Sequence, residues 1–236
     1  MKALYLYADN HNACRSLNSI GLIFNYFNNL SRKLGKEPIL IGITGGIASG
    51  KSTVIQYLLY QGFPVIDADK LGHKVLEPGN HGYNKVVEQF GEGILNKDKS
   101  VNRLVLGGIV FSEQSKLKVL NEISHPIIAE MILNEFNSIA AKNSKGVVFL
   151  EAALLIEANW YNMCHQIWVV NLEAAQARRR LEKRDGLSEK EARSRIESQI
   201  TAKQRLKYAD VILSNDGSRE DLLSQTKHAV EELKCK

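Results

Sequence analysis

Short apolar segments alternate along the chain with segments whose apolar residues recur at helical spacing. Five of the short segments are apolar on both faces, which is typical of parallel strands covered by helices, and they span residues 39–43, 64–66, 147–150, 167–170 and 211–213. Helical periodicity fills the intervals, for example over residues 52–60 and, in a longer mixture of polar and apolar positions, residues 104–139. This alternation predicts an α/β fold with a doubly wound, five-stranded parallel sheet.

The interval between the second and third predicted strands is too long for a single crossover helix. Residues 72–145 are therefore expected to form a helical insertion within one domain, residues 39–236. The composition is that of an ordinary globular unit, since 44% of the 236 residues are hydrophobic and 24% are charged. No apolar run approaches the roughly 18–20 residues that span a bilayer. The three widely spaced cysteines indicate neither a disulfide framework nor a zinc site.

Residues 1–38 form a leader that differs in composition from the rest of the chain. They carry five basic residues against two acidic ones, and apolar residues recur at steps of three and four from Leu17 to Leu34. A basic amphipathic segment of this kind is typical of a mitochondrial presequence. We favour the alternative that the leader is an extra packed helix or a variable segment without a targeting role. We therefore expect a cytoplasmic protein, with a mitochondrial location as the alternative.

A glycine-rich segment with a lysine follows the first predicted strand and precedes a predicted helix. Gly45, Gly50, Lys51 and Ser52 fit the pattern G-x-x-x-x-G-K-[ST], in which backbone N–H groups cradle a phosphate. In such loops the lysine contacts the β- and γ-phosphates and the serine hydroxyl is a ligand of Mg²⁺. The pattern predicts binding of a nucleoside triphosphate with magnesium. The candidate nucleotide-binding residues are Gly45, Gly46, Ile47, Ala48, Ser49, Gly50, Lys51, Ser52 and Thr53.

The nucleotide is not predicted to be GTP. A GTPase needs an N-K-x-D motif for guanine, and the nearest match, residues 96–99, lacks the final aspartate. Residues 69–72 do fit the D-x-x-G pattern of GTPases, but a four-letter match of this kind is weak. The GTPase hypothesis is therefore disfavoured.

Acidic residues end the second and third predicted strands, where an open parallel sheet places its active crevice. Strand alternation predicts that Asp67 and Asp69 lie on the same side, one to orient or deprotonate an acceptor hydroxyl and the other to hold magnesium through water. The alternative is that this pair caps the next helix. Glu151 is expected to hold magnesium through water. Glu157 is a weaker candidate, since it fits a solvated acid at a helix start.

Positive charge is concentrated between residues 178 and 207, which hold eleven basic and five acidic residues. Ser188 and Glu191 form a capping box, which predicts a helix that carries Arg195 and Gln199 on one face. In a phosphoryl-transfer enzyme such a segment would be a lid, about residues 180–207, whose arginines neutralise charge on the moving phosphoryl group. The two arginines favoured for this role are Arg180 and Arg184, and the other basic residues are expected on the surface.

Several motifs, in order from residue 39 to about residue 230, resemble those of dephospho-coenzyme A kinases. They comprise residues 44–53, 65–69, 77–79, 102–103, 124–126, 154–157 and 180–184. Within that family the similarity is closest to the kinase domain of the animal bifunctional coenzyme A synthase, on residues 102–107, 151–153 and 184–189. The resemblance implies a nucleotide-kinase-like P-loop fold with a helical substrate subdomain and a helical lid.

The activity implied by this resemblance is ATP-dependent phosphorylation of the ribose 3′-hydroxyl of dephospho-CoA, the final step of coenzyme A biosynthesis. Asp69 would be the catalytic aspartate, Lys51 the phosphate lysine and Arg180 the arginine that contacts the transferring phosphate. Arg184 would bind the nucleotide. The residues that would contact the acceptor substrate are Asp67, Arg103 and His125.

Two positions depart from the family pattern: Glu151 replaces the usual Asp, and Ala153 replaces the Pro of the bacterial members. Magnesium would be held by Ser52 and, through water, by Glu151. The adenylyltransferase half of the animal enzyme does not fit into 38 residues, so a separate phosphopantetheine adenylyltransferase is expected in the pathway.

Two other functions stay open from the sequence. The first is a different P-loop kinase, acting on a nucleoside or nucleotide through another acceptor pocket. The second is a nucleic-acid-binding ATPase that uses the basic segment. We expect no nucleic-acid partner, because the remainder of the chain outside the leader and the basic segment is mildly acidic.

Overall fold

A computed structural model describes residues 38–142 and 146–234, so the predictions made for residues 1–37 lie outside the described residues. The sheet has five parallel strands in the order β2-β3-β1-β4-β5. Their bounds are Ile39–Gly45 (β1), Val65–Asp67 (β2), Val147–Glu151 (β3), Gln166–Asn171 (β4) and Val211–Ser214 (β5). The predicted α/β fold is confirmed, and each predicted strand end lies within one or two residues of the observed one.

Helices occupy the intervals between the strands. The α-helices are α1 Lys51–Tyr60, α2 Ala68–Val75, α3 His81–Phe90, α4 Arg103–Ser112, α5 Gln114–Ala140, α6 Ala174–Asp185, α7 Glu189–Glu197, α8 Ala202–Leu206 and α9 Arg219–Lys234. The long predicted helical stretch over residues 104–139 is two helices, because Glu113 between them has an extended backbone. None of the helices in the described ranges is long and apolar enough to cross a membrane.

The main core lies between the sheet and the helices α1 and α9. Phe149 of β3 and Trp168 of β4 are fully buried, and their rings pack edge to face with centroids 5.3 Å apart. Phe63, which follows α1, packs edge to face on the other side of Phe149. Apolar residues from α1 and α9 complete this core, among them Val54, Leu58, Leu222 and Val230. Burial on both faces explains why β1, β3 and β4 are largely apolar.

The described residues between β2 and β3 are mostly helical, and part of this region has a small core of its own. Its buried residues come from α3, α4 and the segment between them, and they are Val86, Ile94, Val101, Leu106 and Val110. The predicted start of the insertion at residue 72 falls within α2, and its predicted end at residue 145 lies outside the described residues. The boundaries of the insertion therefore stay predictions.

All five strands run in the same direction, so their carboxyl ends meet at one edge of the sheet. In the β1–β3 register Ile43 lies beside Glu151, and in the β2–β3 register Glu151 lies beside Asp67. The glycine-rich segment leaves β1 at the same edge. The topology therefore assembles the predicted acidic residues and the predicted phosphate loop at one crevice.

Replacing the central aromatic residue of the core tests this packing. Phe149→Ala is expected to lower the free energy of unfolding by about 3–5 kcal/mol, because it removes a fully buried ring and leaves a cavity. Phe111→Ala is the matched control, since that ring is 80% exposed, and its effect is expected to stay within about 0.5 kcal/mol. Denaturant unfolding of both variants measures the difference, and equal losses would contradict the assigned core.

Candidate active site

The turn from β1 into α1 is the predicted phosphate loop, and two of its positions require glycine. A Cβ on Gly45 would come within 2.6 Å of the Val170 carbonyl oxygen. Gly50 has a φ of +93°, and a Cβ there would come within 2.1 Å of Asn215 Nδ2. Only a residue without a side chain avoids both the strained dihedral and the clash. These are the first and second glycines of the G-x-x-x-x-G-K-[ST] pattern.

Helix α1 presents an uncapped N-terminus to the loop. Its N-cap residue, Gly50, makes no side-chain hydrogen bond, and its first turn contains no acidic residue. The first N–H groups of a helix lack partners within the helix, and the helix dipole makes this end positive. The start of α1 is therefore suited to a phosphate group.

A cavity of about 790 Å³ opens over the loop and the start of α1. Its lining comprises residues 45–52 together with Glu151, Ala153, Arg180, Lys183, Arg184 and Gln199. Four of these side chains are basic and one is acidic, so the cavity carries a positive charge that suits a polyphosphate. The structure thus brings together the predicted loop residues 45–52, Glu151, Arg180 and Arg184. Thr53 lies next along α1, outside this lining.

Lys51 and Glu151 form an ion pair on the cavity wall. Nζ of the lysine lies 3.2 Å from Oε1 of the glutamate, and the two side chains are 15% and 19% exposed. The exposed Ser52 hydroxyl lines the same cavity. Serine and carboxylate oxygens are hard ligands of the kind that Mg²⁺ prefers. Within residues 38–142 and 146–234, no group of three His, Cys, Asp or Glu side chains forms a ready-made metal cage.

Arg180 of α6 binds the backbone beside the phosphate loop. Its Nη2 donates to the Asn215 carbonyl oxygen at 3.0 Å, and its Nη1 donates to the Ala48 carbonyl oxygen at 3.4 Å. Asn215, which follows β5 and is buried, donates from Nδ2 to the Ser49 carbonyl oxygen at 2.7 Å. Two side chains distant in sequence therefore hold consecutive carbonyl groups of the loop. Asn215 was not predicted as a site residue, because no local sequence pattern marks its contact with the loop.

The other two basic side chains of α6 that line the cavity, Lys183 and Arg184, differ in their surroundings. Arg184 makes a bidentate pair with Asp185, with N–O distances of 2.7 and 3.0 Å. This hydrogen bonding holds the pKa of Asp185 below its ordinary value, with Arg195 adding a smaller attraction. Lys183 is exposed, as expected for a surface residue, but it also lines the cavity, which the sequence did not predict. This position was not predicted, because so many basic residues follow one another in the segment that their spacing does not show which of them face the cavity.

Asp67 and Asp69 lie on different elements. Strand β2 ends at Asp67 and α2 begins at Ala68, so the prediction that strand alternation places both carboxylates on one side is wrong. Asp67 is the N-cap of α2, since its Oδ1 accepts from the Lys70 amide at 3.0 Å and its Oδ2 lies 3.2 Å from Lys70 Nζ. Asp69 is exposed in the first turn of α2 and makes no hydrogen bond or ion pair with the described residues. The capping alternative therefore applies to Asp67 alone.

Arg103 and His125 lie between β2 and β3, outside the cavity lining. Arg103 begins α4 and donates to the His73 carbonyl oxygen at 3.4 Å. The His125 ring packs edge to face on Trp160, whose Nε1 donates to the His125 carbonyl oxygen at 3.3 Å. Burial lowers the pKa of the His125 imidazole, so this ring is neutral near pH 7. Trp160 thus links the segment after β3 to α5, and substrate contacts by Arg103 and His125 stay predictions.

Gln199 contacts the phosphate loop instead of extending α7. The predicted capping box is present and starts this helix at Glu189, but the helix ends at Glu197. The predicted helical face shared by Arg195 and Gln199 is therefore wrong. Oε1 of Gln199 accepts a hydrogen bond from the Ile47 amide at 2.8 Å. No sequence pattern indicates this contact, since 152 positions separate the two residues.

Glu157 and Arg205 are more buried than the sequence suggested. Both carboxylate oxygens of Glu157 are inaccessible to solvent and lack a hydrogen-bond partner among the described residues, so the expectation of a solvated acid is wrong. Arg205 is 4% exposed, which contradicts its expected surface position. Burial lowers the pKa of the Arg205 guanidinium, and the charge of Glu157 opposes this shift.

Some of the other arginines of the basic segment pair with acids of the same segment. Arg178 pairs with both Glu182 and Glu189. Arg193 pairs with Glu197 at 2.7 Å. The segment keeps an excess of positive charge, since it holds eleven basic and five acidic residues.

Removing the Asp67 carboxylate tests its capping role. Asp67→Ala is expected to lower the free energy of unfolding by about 1 kcal/mol, because α2 loses its N-cap. Asp67→Asn keeps a capping oxygen and is expected to retain most of that stability. Asp69→Ala is the matched control and is expected to change stability by less than about 0.5 kcal/mol. Urea denaturation measures all three, and equal losses for the two Asp67 variants would contradict the capping assignment.

A protein-family model described as dephospho-CoA kinase matches residues 39–221. The matched range contains the phosphate loop and every residue that lines the cavity. It begins after the leader of residues 1–38, whose role stays a prediction.

Curated relatives are similar to this chain over nearly their whole length. A dephospho-CoA kinase from Shouchella clausii is 42% identical over 190 residues, which cover 80% of this chain and 96% of that protein. One from Dehalococcoides mccartyi is 40% identical over 186 residues, which cover 78% and 92%. The predicted closer similarity to the animal bifunctional enzyme stays a prediction.

Solved structures have the same arrangement of strands and helices. A Thermus thermophilus protein superposes with a TM-score of 0.70 and 32% identity, over 84% of this chain and 99% of that one. A dephospho-CoA kinase from Campylobacter jejuni superposes with a TM-score of 0.63 and 31% identity, over 82% and 96%. The family match over most of the chain and the curated relatives together show that this chain belongs to the dephospho-CoA kinase family.

Proposed function

We propose that this chain transfers the γ-phosphoryl group of ATP to the ribose 3′-hydroxyl of dephospho-CoA, giving coenzyme A and ADP. The cavity of this chain, which belongs to the dephospho-CoA kinase family, supports the proposal most strongly. Four basic side chains and an uncapped helix N-terminus surround its glycine-rich loop. Such a site is built to hold a polyphosphate and to neutralise charge during its transfer.

Binding of the donor uses the backbone first. The N–H groups of the loop and of the first turn of α1 would hold the β-phosphate. Lys51 would then exchange its partner, from the Glu151 carboxylate at 3.2 Å to the β- and γ-phosphate oxygens. The exchange replaces one anionic partner by another, so the partly buried lysine keeps a counter-charge throughout.

When Lys51 exchanges Glu151 for the phosphates, the Glu151 carboxylate at the end of β3 loses its partner and can serve as a ligand. The donor set fits magnesium, because Ser52 and Glu151 supply hard oxygens on the same cavity as the loop. Mg²⁺ commonly uses one or two protein oxygens and takes its other ligands from phosphate and water. When bound, the ion would neutralise charge on the β- and γ-phosphates. The longer side chain of Glu151, compared with Asp, is compatible with a water-mediated contact.

Three basic side chains of α6 would neutralise the negative charge on the transferring phosphoryl group, namely Arg180, Lys183 and Arg184. Arg180 is fixed by two backbone carbonyls and borders the cavity, so its guanidinium costs little to position. Arg184 would exchange the Asp185 carboxylate for phosphate oxygens, and Lys183 adds a third charge. Catalysis of phosphoryl transfer is mostly positioning and charge compensation of this kind.

Asp69 would orient the acceptor hydroxyl and accept its proton as the new P–O bond forms and the bond to the ADP oxygen breaks. It follows β2 at the carboxyl edge of the sheet, and its carboxylate is free of protein partners among the described residues. A carboxylate is a weak base, so Asp69 would act mainly by position. Asp67, Arg103 and His125 are proposed to bind the rest of dephospho-CoA.

We also propose where the enzyme acts and which partners it has. We place the enzyme in the cytoplasm, beside a separate phosphopantetheine adenylyltransferase that supplies its substrate, and we assign it no nucleic-acid partner. The match to dephospho-CoA kinases disfavours the polynucleotide-dependent ATPase.

An acceptor assay tests the proposed function directly. The purified chain with Mg-ATP is expected to release ADP only when dephospho-CoA is present, and mass spectrometry is expected to show one added phosphoryl group on that acceptor. Adenosine, AMP and single-stranded polynucleotide serve as the comparison acceptors and effectors. Turnover with adenosine or AMP but not with dephospho-CoA would overturn the proposed substrate, and polynucleotide-stimulated hydrolysis would favour the alternative ATPase.

The role of Asp69 has its own test. Asp69→Asn is expected to lower kcat by about 10²–10⁴-fold, since it removes the group that positions and deprotonates the hydroxyl. The KM for ATP is expected to change by less than about threefold, because Asp69 lies outside the nucleotide cavity. Glu88→Gln, an exposed carboxylate on α3, is the control. Near-normal turnover of the Asp69 variant would exclude it as the base.

A further inference from the structure

Gln199 connects the basic segment to the tip of the phosphate loop. Its Oε1 accepts from the Ile47 amide at 2.8 Å, and the residue also borders the cavity. Gln199 lies between α7, which ends at Glu197, and α8, which begins at Ala202. A loop N–H group is therefore satisfied by a side chain from the lid segment rather than by the loop itself.

Arg205 supports the same turn from the neighbouring position. Its Nη1 lies 3.3 Å from the place that a Cβ on Gly46 would occupy, so the guanidinium packs directly against this glycine. Its Nη2 donates to the Ile200 carbonyl oxygen at 3.1 Å, immediately after Gln199. The capping box of Thr201 fixes the start of the short helix α8 that carries Arg205. Gly46 and Ile47 thus contact two side chains of one short segment.

A buried acid lies within electrostatic reach of this arginine. Glu157 follows β3 and attracts the Arg205 guanidinium without a direct hydrogen bond between the two groups. Both Glu157 oxygens and the Arg205 Nε are buried without hydrogen-bond partners among the described residues. Each charge would be strongly unfavourable without the other, because a buried charge needs a compensating one.

We propose that Gln199 is a positioning residue for the nucleotide, which sets the tip of the phosphate loop through the Ile47 amide, and that Arg205 holds Gln199 in place through its contacts with the Ile200 carbonyl and Gly46. This inference rests on the ATP-dependent transfer proposed above. Its consequence is that the affinity for Mg-ATP depends on the lid segment even where the lid touches no phosphate. Gln199 acts on the loop in the ground state and the transition state alike, so it affects donor binding more than the chemical step.

The first experiment replaces the amide by an apolar group of similar length. Gln199→Met is expected to raise the Kd and the KM for Mg-ATP about tenfold, as one lost hydrogen bond to the loop implies. The turnover number is expected to change by less than about threefold. Gln56→Met, an exposed glutamine on α1, is the matched control and is expected to behave as the unmodified chain. Isothermal titration with Mg-ATP gives the Kd, and steady-state assays give KM and kcat.

Two outcomes would overturn the assignment of Gln199. An unchanged Kd for Mg-ATP would show that the Ile47 contact does not set the loop. A turnover number that falls by about two orders of magnitude or more, with an unchanged KM, would make Gln199 a contact of the transferring phosphoryl group instead of a positioning residue.

The second experiment tests the role of Arg205 and the compensation of its charge by Glu157. Glu157→Gln and Arg205→Met each leave one buried charge uncompensated, so each single variant is expected to melt at a lower temperature than the double variant. The double variant is expected to fold but to bind Mg-ATP more weakly than the unmodified chain, because Gly46 and Ile200 lose their support. A double variant that folds and binds Mg-ATP with an unchanged Kd would remove Arg205 from the proposal.

The two proposals fail in different ways. Titration with Mg-ATP needs no acceptor, so a wrong acceptor would leave the Gln199 result intact. Conversely, normal conversion of dephospho-CoA together with an unchanged Kd of Gln199→Met would leave the proposed function standing and overturn this inference.

Discussion

The parallel register of the central strands is the constraint on which the rest of the structure depends. It sets Ile43, Glu151 and Asp67 side by side, so the loop after β1 and the acids after β2 and β3 share one edge of the sheet. The strands can take this register because helices cover both of their faces and allow them to be apolar throughout. A change in the register of β1 and β3 would separate Lys51 from Glu151.

Part of the positive charge at the site is compensated before any nucleotide binds. Lys51 pairs with Glu151, Arg184 pairs with Asp185, and Glu157 attracts Arg205. The energetic consequence is that phosphate has to replace the carboxylates that pair with Lys51 and Arg184. Anions that offer a single oxygen compete poorly under this condition, whereas a polyphosphate replaces several carboxylates together.

Local patterns predicted the strands, the phosphate loop and the α7 capping box, because a few adjacent residues determine each of them. They failed where the structure depends on distant contacts. Gln199 reaches Ile47 across a long stretch of sequence, and Arg205 is buried by packing that no helical spacing reveals. Asp69 shows a second kind of limit. The alternation of side chains between the two faces holds only within a strand, and β2 ends at Asp67, two residues before Asp69.

The link between Trp160 and His125 has a spectroscopic consequence. The chain contains two tryptophans, and Trp168 is fully buried between the sheet and its covering helices. Trp160 instead hydrogen-bonds and packs across the junction between the segment after β3 and α5. Fluorescence from Trp168 reports the integrity of the core, whereas fluorescence from Trp160 reports the state of the junction. The molecule therefore carries a built-in optical probe of movement between its helical insertion and its sheet.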